Sequence, residues 1–235
     1  FKKIKMKKLA FMTMLLFATA LQAQEIKQIP MVNVSGEGKI KVEPDQALIT
    51  ISVETKGNDA ADVKKENDKK MDAVLKLIKK ANIAQQDFQT QRVSLNPNYD
   101  YEKKKNYYLA TQTVQILLKD LSKYDALMEG TVDAGINRIN NVEFKTSKLL
   151  QLQSDARKLA IKDAKTKADD FVSVLGQKVG KAITISDNSA GYNPPPVMYR
   201  AMMKTESMSD SAQNETLAIG EIEIVVNVSV SFILE

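Results

Sequence analysis

Residues 31–43 read Met-Val-Asn-Val-Ser-Gly-Glu-Gly-Lys-Ile-Lys-Val-Glu, and apolar or small residues alternate with polar ones throughout this stretch. A period of two is typical of a β-strand that turns one face toward a core. The inward face would carry Gly36 and Gly38, where most strands place large side chains. These glycines could let a ligand or a neighbouring backbone approach closely. The favoured interpretation is a slot for a bulky helix side chain, or a β-bulge.

The same alternation predicts six further strands. They lie at residues 47–53, 89–95, 107–118, 139–144, 182–186 and 222–234. The first two strands of the chain are expected to form an antiparallel hairpin across Pro44-Asp45. The last strand would be about 40 Å long, at about 3.3 Å per residue. That length indicates a strongly twisted sheet, or an end that projects beyond its own monomer.

Helical spacing of apolar residues predicts three helices. The first begins at a cap formed by Asn58 or Asp59 and runs to about Ala81. A short helix at 122–134 ends at Gly135. The longest, at 148–175, carries an alanine-rich apolar stripe that we interpret as core packing rather than a partner-binding coiled coil. The predicted fold class is α+β: an antiparallel, strongly twisted sheet of about seven strands, covered by two long helices and one short helix.

The first 23 residues are predicted to be a signal peptide. Five lysines precede an apolar run from Leu9 to Leu21, and small residues lead to Ala23. The run is too short to span a bilayer comfortably, so no transmembrane anchor is expected after cleavage. Residues 24–235 would then form a single exported domain, periplasmic in a Gram-negative cell.

Charge and residue inventory exclude several functions. Without the five leader lysines, the 34 basic residues fall to 29 and equal the 29 acidic ones, so nucleic acid is not an expected partner. The chain has no His and no Cys, which removes imidazole bases, thiolate nucleophiles and thiolate metal sites. We therefore expect no enzyme, no catalytic residue and no cofactor.

A loop rich in proline and methionine, at residues 188–215, is the most unusual segment. It holds Pro194, Pro195 and Pro196, followed by Met198, Met202, Met203 and Met208. The thioethers could bind Cu(I), be oxidised sacrificially, or pack at a subunit contact, and packing is the favoured interpretation. The candidate interface residues are the three prolines together with Ile222, Ile224 and Val226 of the last strand.

Two other clusters have plain interpretations. If the first and last strands were neighbours, Glu37 and Glu221 could approach each other and bind a hard cation, but solvated surface is the favoured interpretation. Four tyrosines at 99–108 surround three lysines, a composition found at nucleic-acid and glycan contacts. An exposed hairpin tip is the favoured interpretation there.

Several short motifs occur in a fixed order from residue 31 to the end. They are Val34-Ser35-Gly36-Glu37-Gly38, Pro44-Asp45-Gln46-Ala47, Pro97-Asn98-Tyr99-Asp100-Tyr101, Gly135-Ile136-Asn137-Arg138-Ile139, Leu175-Gly176 with Val179-Gly180, and Gly220-Glu221. In this order they resemble the SIMPL-domain family, the bacterial periplasmic immunogenic proteins. One departure is Ala84-Gln85-Gln86, where that family suggests a glycine-containing turn.

The resemblance implies an exported α+β protein associated with envelope or oxidative-stress protection, without established catalytic residues. Its structural motif positions here are Gly36, Gly38, Pro44, Asp45, Gly135, Asn137 and Gly220. The functional hypothesis is a non-enzymatic protein that self-assembles into a homo-oligomer. The alternative is a periplasmic protein that binds a small ligand or Cu(I) through the Met-rich loop. An envelope protein would be a further partner class.

Overall fold

A computed structural model describes residues 29–189 and 219–235. The strands are β1 (Met31–Val42), β2 (Gln46–Gly57), β3 (Phe88–Asp100), β4 (Lys105–Leu118), β5 (Arg138–Lys145), β6 (Val179–Asp187) and β7 (Ile222–Leu234). The helices are α1 (Ala60–Lys80), α2 (Tyr124–Ala134) and α3 (Leu149–Ser173). Within the described residues, the predicted set of seven strands, two long helices and one short helix is therefore confirmed.

The seven strands divide between two antiparallel sheets. Sheet A has the order β1-β7-β6, and sheet B has the order β3-β4-β2-β5. The expected single sheet is thus corrected to two, and the expected β1–β2 hairpin is wrong. β1 pairs with β7, whereas β2 pairs with β4 and β5.

Pro44 and Asp45 carry the chain from one sheet to the other instead of turning it back on itself. The Asp45 carboxylate accepts a hydrogen bond from the backbone N–H of Ser147 at 2.7 Å and another from the Ser147 hydroxyl. The backbone N–H of Asp45 donates to the carbonyl oxygen of Lys145 at 3.1 Å. The outgoing and returning connections between the sheets are therefore tied together at one place.

Each sheet has its own hydrophobic core. In sheet B, α1 and α2 cover one face, with Ile49, Val74 and Ile116 fully buried. In sheet A, α3 covers one face, with Ile224 and Val228 at the centre. β7 is the middle strand of sheet A. It pairs with β1 from Ile222 to Ile233 and with β6 from Val228 to Leu234, and its alternate side chains belong to the core.

The contact between α3 and β1 explains the two glycines. A Cβ atom built on Gly36 would lie 1.9 Å from the carbonyl oxygen of Ala160, and one on Gly38 would lie 1.9 Å from that of Ala156. Only glycine leaves room for a helix backbone this close to a strand. The register of β1 against β7 runs without interruption, so the favoured slot or bulge is wrong and the backbone-approach alternative is correct.

Two helix ends follow the predicted signals. Asp59 caps α1, because its carboxylate accepts from the backbone N–H groups of Ala61 at 2.8 Å and Asp62 at 3.0 Å. Gly135 ends α2 with φ of 116°, a conformation that favours glycine.

Asn137 continues the pairing of β2 beyond the start of β5. Its side-chain Oδ1 accepts from the backbone N–H of Glu54 at 2.8 Å, and its Nδ2 donates to the backbone oxygen of Glu54 at 2.7 Å. The amide side chain thus replaces a missing strand residue, which explains why this motif carries asparagine.

Replacing Gly38 with alanine tests the close contact of α3. We expect Gly38→Ala to lower the free energy of unfolding by about 3 kcal/mol or more, because the new methyl group meets helix backbone rather than a movable side chain. Urea denaturation followed by circular dichroism measures the change. Ser35→Ala, on the solvent-facing side of β1, is the matched control and should change stability by less than about 0.5 kcal/mol. Equal stability of Gly38→Ala and the parent would contradict the packing.

Replacing Asn137 with alanine tests the side-chain pairing. We expect Asn137→Ala to lower the free energy of unfolding by about 1–2 kcal/mol, since two hydrogen bonds to Glu54 are lost. Asn141→Ala, an exposed asparagine of β5, is the control and should have little effect in the same urea titration. If both variants destabilise equally, the role assigned to Asn137 is wrong.

Candidate functional site

The Pro/Met segment lies outside the described residues. This holds for Pro194, Pro195, Pro196, Met198, Met202, Met203 and Met208. The described chain stops at Ser189, just beyond β6, and resumes at Ile219, just before β7. The segment is therefore attached to sheet A at both of its ends.

The other interface candidates lie in the core. Ile222, Ile224 and Val226 are 6%, 0% and 2% exposed. They alternate along β7 on the face that α3 covers, so the chain's own helix occupies the surface they would offer to a subunit. Apolar alternation is the same for a core strand and an interface strand, which is why the sequence could not separate the two.

The acidic pair does not form. β1 and β7 are neighbours, but Glu37 lies opposite Asn227, whereas Glu221 precedes Ile222 at the far end of the pairing. Glu37 forms an ion pair with Lys39 at 2.7 Å instead. Within residues 29–189 and 219–235, no group of three or more acidic side chains is arranged to hold a metal ion.

The tyrosine and lysine cluster is an exposed hairpin tip between β3 and β4. Tyr99 and Tyr101 meet edge to face with ring centroids 5.1 Å apart. The Lys56 ammonium lies 3.6 Å from the centroid of the Tyr107 ring and 3.5 Å from the Asp100 carboxylate. Contacts with Lys56 and between two of the tyrosine rings therefore account for part of this cluster, and Tyr101 remains 84% exposed.

The motif residues have structural positions. Gly36 and Gly38 accommodate α3, Pro44 and Asp45 form the connection between sheets, and Gly135 and Asn137 close sheet B. Gly220, with φ of 62°, precedes β7. None of these positions brings reactive groups together.

The outer edge of β1 is covered by side chains of α3. The Asp163 carboxylate accepts from the backbone N–H of Glu37 at 2.9 Å, and the Lys167 ammonium donates to the backbone oxygen of Ser35 at 3.2 Å. The two side chains also bind each other at 2.6 Å. The hydrogen bond from Lys167, together with that from Glu37, lowers the pKa of Asp163. This edge is therefore closed to another strand.

Among residues 29–189 and 219–235, no strand or helix covers the opposite edge of sheet A, at β6. α3 packs on β1 and β7 and barely reaches β6. Ile185 is opposite Val230, so its side chain is on the helix side of the sheet, yet it is 57% exposed. Ile183 is 43% exposed. In the described part of the chain, no hydrogen bond comparable to those of Asp163 and Lys167 reaches the outer edge of β6. We call β6 with Ile183 and Ile185 the β6 edge.

A second apolar patch lies at the carboxyl end of α3. Phe171 lies in the last turn of α3, Val174 and Leu175 follow its last residue, Ser173, and all three are exposed. Large exposed apolar groups that are contiguous mark contact surfaces more often than scattered ones do. The patch precedes β6 in the chain, so both surfaces belong to the same part of the molecule.

The edges of sheet B carry features that discourage pairing. The pairing of β3 with β4 shifts register between Thr90 and Arg92, and β3 contains Pro97. β5 is the shortest strand described, and its pairing with β2 also shifts register. Irregular pairing, proline and short length all blunt an edge. β6 has two register shifts in its first half, and its register is continuous over its last four residues, from Thr184 to Asp187.

A family model matches residues 32–232, which run from β1 into β7 and include both sheets. The model is SIMPL, described as a protein of unknown function (DUF541). The chain belongs to the SIMPL family. The resemblance carried by its motifs is thereby confirmed, and the SIMPL fold in this chain comprises the two sheets and three helices described above.

Bacterial relatives of this SIMPL protein span nearly its whole length. It is 30% identical to the uncharacterized protein YggE of Escherichia coli K12 over 92% of this chain and 88% of that one. It is 26% identical to the 26 kDa periplasmic immunogenic protein of Brucella melitensis, over 93% and 89%. It is also 26% identical to mouse interleukin-1 receptor-associated kinase 1-binding protein 1, over 66% and 59%. None of these names states a catalytic activity.

Sequence reasoning missed the β6 edge. Its signal is the run Ala182-Ile183-Thr184-Ile185, which has high strand propensity. The sequence placed a strand here but could not show that α3 leaves it uncovered. Separately, no helix among the described residues has the length and apolar character needed to cross a membrane.

Asp187 at the end of β6 gives a pH test of this region. A hydrogen bond from the Ser189 hydroxyl, followed by that from Arg157 at 2.9 Å, lowers the pKa of Asp187 from 3.8 to about 2. Because the folded pKa is depressed, the stabilisation is complete above pH about 4 and is lost as the pH falls through about 2.

Carboxyl-carbon NMR should show Asp187 titrating with a midpoint near pH 2, and Arg157→Gln should move that midpoint upward. Lys158→Gln, which removes a neighbouring charge paired with Asp155, should leave it unchanged. A midpoint near 3.8 in the parent protein would contradict the contacts of Asp187.

Proposed function

We propose that this protein is an exported, non-catalytic SIMPL protein that assembles with copies of itself in the bacterial envelope. The observation that carries the proposal is the β6 edge, a strand with exposed isoleucines that nothing in the described part of the chain covers, in a sheet whose other edge is closed. A role in envelope or oxidative-stress protection belongs to the same proposal and is supported by the family resemblance.

Export is supported by two independent features. Residues 1–23 have the charged start, short apolar run and small-residue exit of a cleaved signal peptide. The Brucella relative is named a periplasmic protein. The absence of His and Cys from the chain favours a non-catalytic role, since the commonest general bases and nucleophiles are missing.

A second copy of the chain is the partner that suits the β6 edge. An edge strand can pair antiparallel with its own copy about a two-fold axis, which satisfies the unpaired backbone groups of both copies at once. Ile185 of each copy would then be covered by the other. Phe171, Val174 and Leu175 are further exposed apolar residues, shortly before β6 in the chain.

The strand composition also favours pairing with an identical strand. Ile183, Thr184 and Ile185 are β-branched, and cross-strand pairs of such residues stabilise antiparallel sheets by about 0.2–1 kcal/mol each. The Thr184 hydroxyl is within 2.8 Å of the Ser231 hydroxyl, so it is held within the sheet. No hydrogen bond from the described residues outside β6 and β7 reaches the backbone groups on the outer side of β6, so these groups suit a partner strand.

The mass of residues 24–235 in solution tests assembly. Light scattering after gel filtration should give a multiple of the monomer mass in the parent protein. Ile185→Lys should reduce that mass, because a charge would be buried at the contact without a partner. Val93→Lys is the matched control, since Val93 is 65% exposed on the edge strand β3 of sheet B, and it should leave the mass unchanged.

Three results would contradict this assignment. A monomeric parent protein would remove assembly altogether. Dissociation by Val93→Lys but not by Ile185→Lys would move the contact to sheet B. Cu(I) retention that is lost when Met198, Met202, Met203 and Met208 are changed to leucine, in a monomer, would establish the alternative function of metal binding by the Met-rich segment.

A further inference from the structure

An apolar pocket of about 350 Å³ opens in the sheet B part of the molecule. It lies where the carboxyl end of α1, the end of β4 and the start of α2 meet. Leu77, Ile83, Leu118 and Leu127 form its walls, and Lys80 and Lys123 also line it. Its volume is within the range of about 300–1,000 Å³ found for small-molecule sites.

The turn after α1 builds one wall of this pocket. Asn82 adopts φ of 58°, and its N–H donates to the carbonyl oxygen of Lys79 at 3.1 Å. The N–H of Ile83 donates to that of Ile78 at 3.4 Å. These two bonds form a helix-ending motif that turns the next side chain back against the helix. The family resemblance suggests a glycine-containing turn at Ala84-Gln85-Gln86. In this chain Asn82 adopts the left-handed conformation that glycine favours.

The charges at the pocket are mainly positive. Lys80 is exposed in the last turn of α1 and has no ion-pair partner among the described residues. Lys123 lies 3.6 Å from the Asp120 carboxylate, but both side chains are more than half exposed, so this pairing is weak. Asp120 is further occupied by hydrogen bonds from the N–H and hydroxyl of Ser122. The ammonium groups are therefore available to an anion.

We propose that this pocket binds a single-chain amphiphile with an anionic head group, of the fatty-carboxylate class. The leucine and isoleucine walls suit an alkyl chain, because burying each methylene contributes about 0.8 kcal/mol. Lys80 and Lys123 suit the head group, since an ammonium attracts a carboxylate without demanding a fixed geometry. This binding goes beyond self-assembly and uses the other sheet.

The occupant has one chain and no large planar ring. The wall side chains are aliphatic, and no tyrosine or phenylalanine is among the lining residues. Stacking of a nucleobase or a sugar therefore has no platform here. Dodecanoate is a suitable probe because it combines one alkyl chain with one carboxylate.

Isothermal titration calorimetry of residues 24–235 with dodecanoate, below its micelle-forming concentration, tests the proposal. The parent protein should bind it, and the double variant Lys80→Gln, Lys123→Gln should bind about tenfold more weakly, as two exposed charge contacts are lost. Lys79→Gln is the matched control, because Lys79 is a neighbouring exposed lysine that does not line the pocket. Dodecanol, which lacks the charge, should bind the parent and the double variant equally.

Ala126→Trp provides a second test that does not depend on charge. Ala126 is exposed and lines the pocket, so tryptophan can fill the space without disturbing the core. Dodecanoate binding should be lost while the circular dichroism spectrum and the solution mass stay unchanged.

Absence of dodecanoate binding to the parent protein would overturn the proposal. Dodecanoate binding that neither the double lysine variant nor Ala126→Trp weakens would also overturn the proposal, since the ligand would then lie elsewhere. Sedimentation with phosphatidylglycerol vesicles without binding of the free amphiphile would also overturn it and would point to a membrane surface.

Discussion

The close approach of α3 to β1 is the contact on which the arrangement of sheet A depends. Gly36 and Gly38 remove the side chains that would hold the helix away, and Ala156 and Ala160 meet the strand backbone directly. A helix seated this far over β1 can extend Asp163 and Lys167 across the edge of that strand. Because the helix packs on β1 and β7, it makes few contacts with β6. Within the described residues, one edge of the sheet is therefore covered by helix side chains and the other is not.

Local patterns in the sequence predict most of the secondary structure. Alternation located all seven strands, and Asp59, Gly135 and the alanine stripe located the helices, because caps and periodicity act within a few residues of one another. The division into two sheets could not be obtained in this way. It involves contacts between residues far apart in the chain, such as Asp45 and Ser147, which are separated by 102 positions. Ile222, Ile224 and Val226 were misplaced for a related reason, since a buried strand and an interface strand share one apolar pattern.

The two surfaces with functional potential belong to different parts of the molecule. The β6 edge is part of sheet A, whereas the apolar pocket lies among α1, β4 and α2 of sheet B. Each part has a hydrophobic core of its own. The proposed ligand site and the proposed subunit contact therefore share no residues. The residue inventory is consistent with both roles, because neither requires a nucleophile or a general base.

Amide hydrogen exchange along β6 tests the central claim most directly, namely that a second copy of the chain covers the edge that α3 leaves open. In the assembled protein, the outward-pointing N–H groups of Ile183 to Asp187 should exchange slowly, and they should exchange rapidly in Ile185→Lys. The N–H groups that pair with β7 should stay protected in both. Rapid exchange of the outward β6 amides in an assembled parent protein would contradict the account.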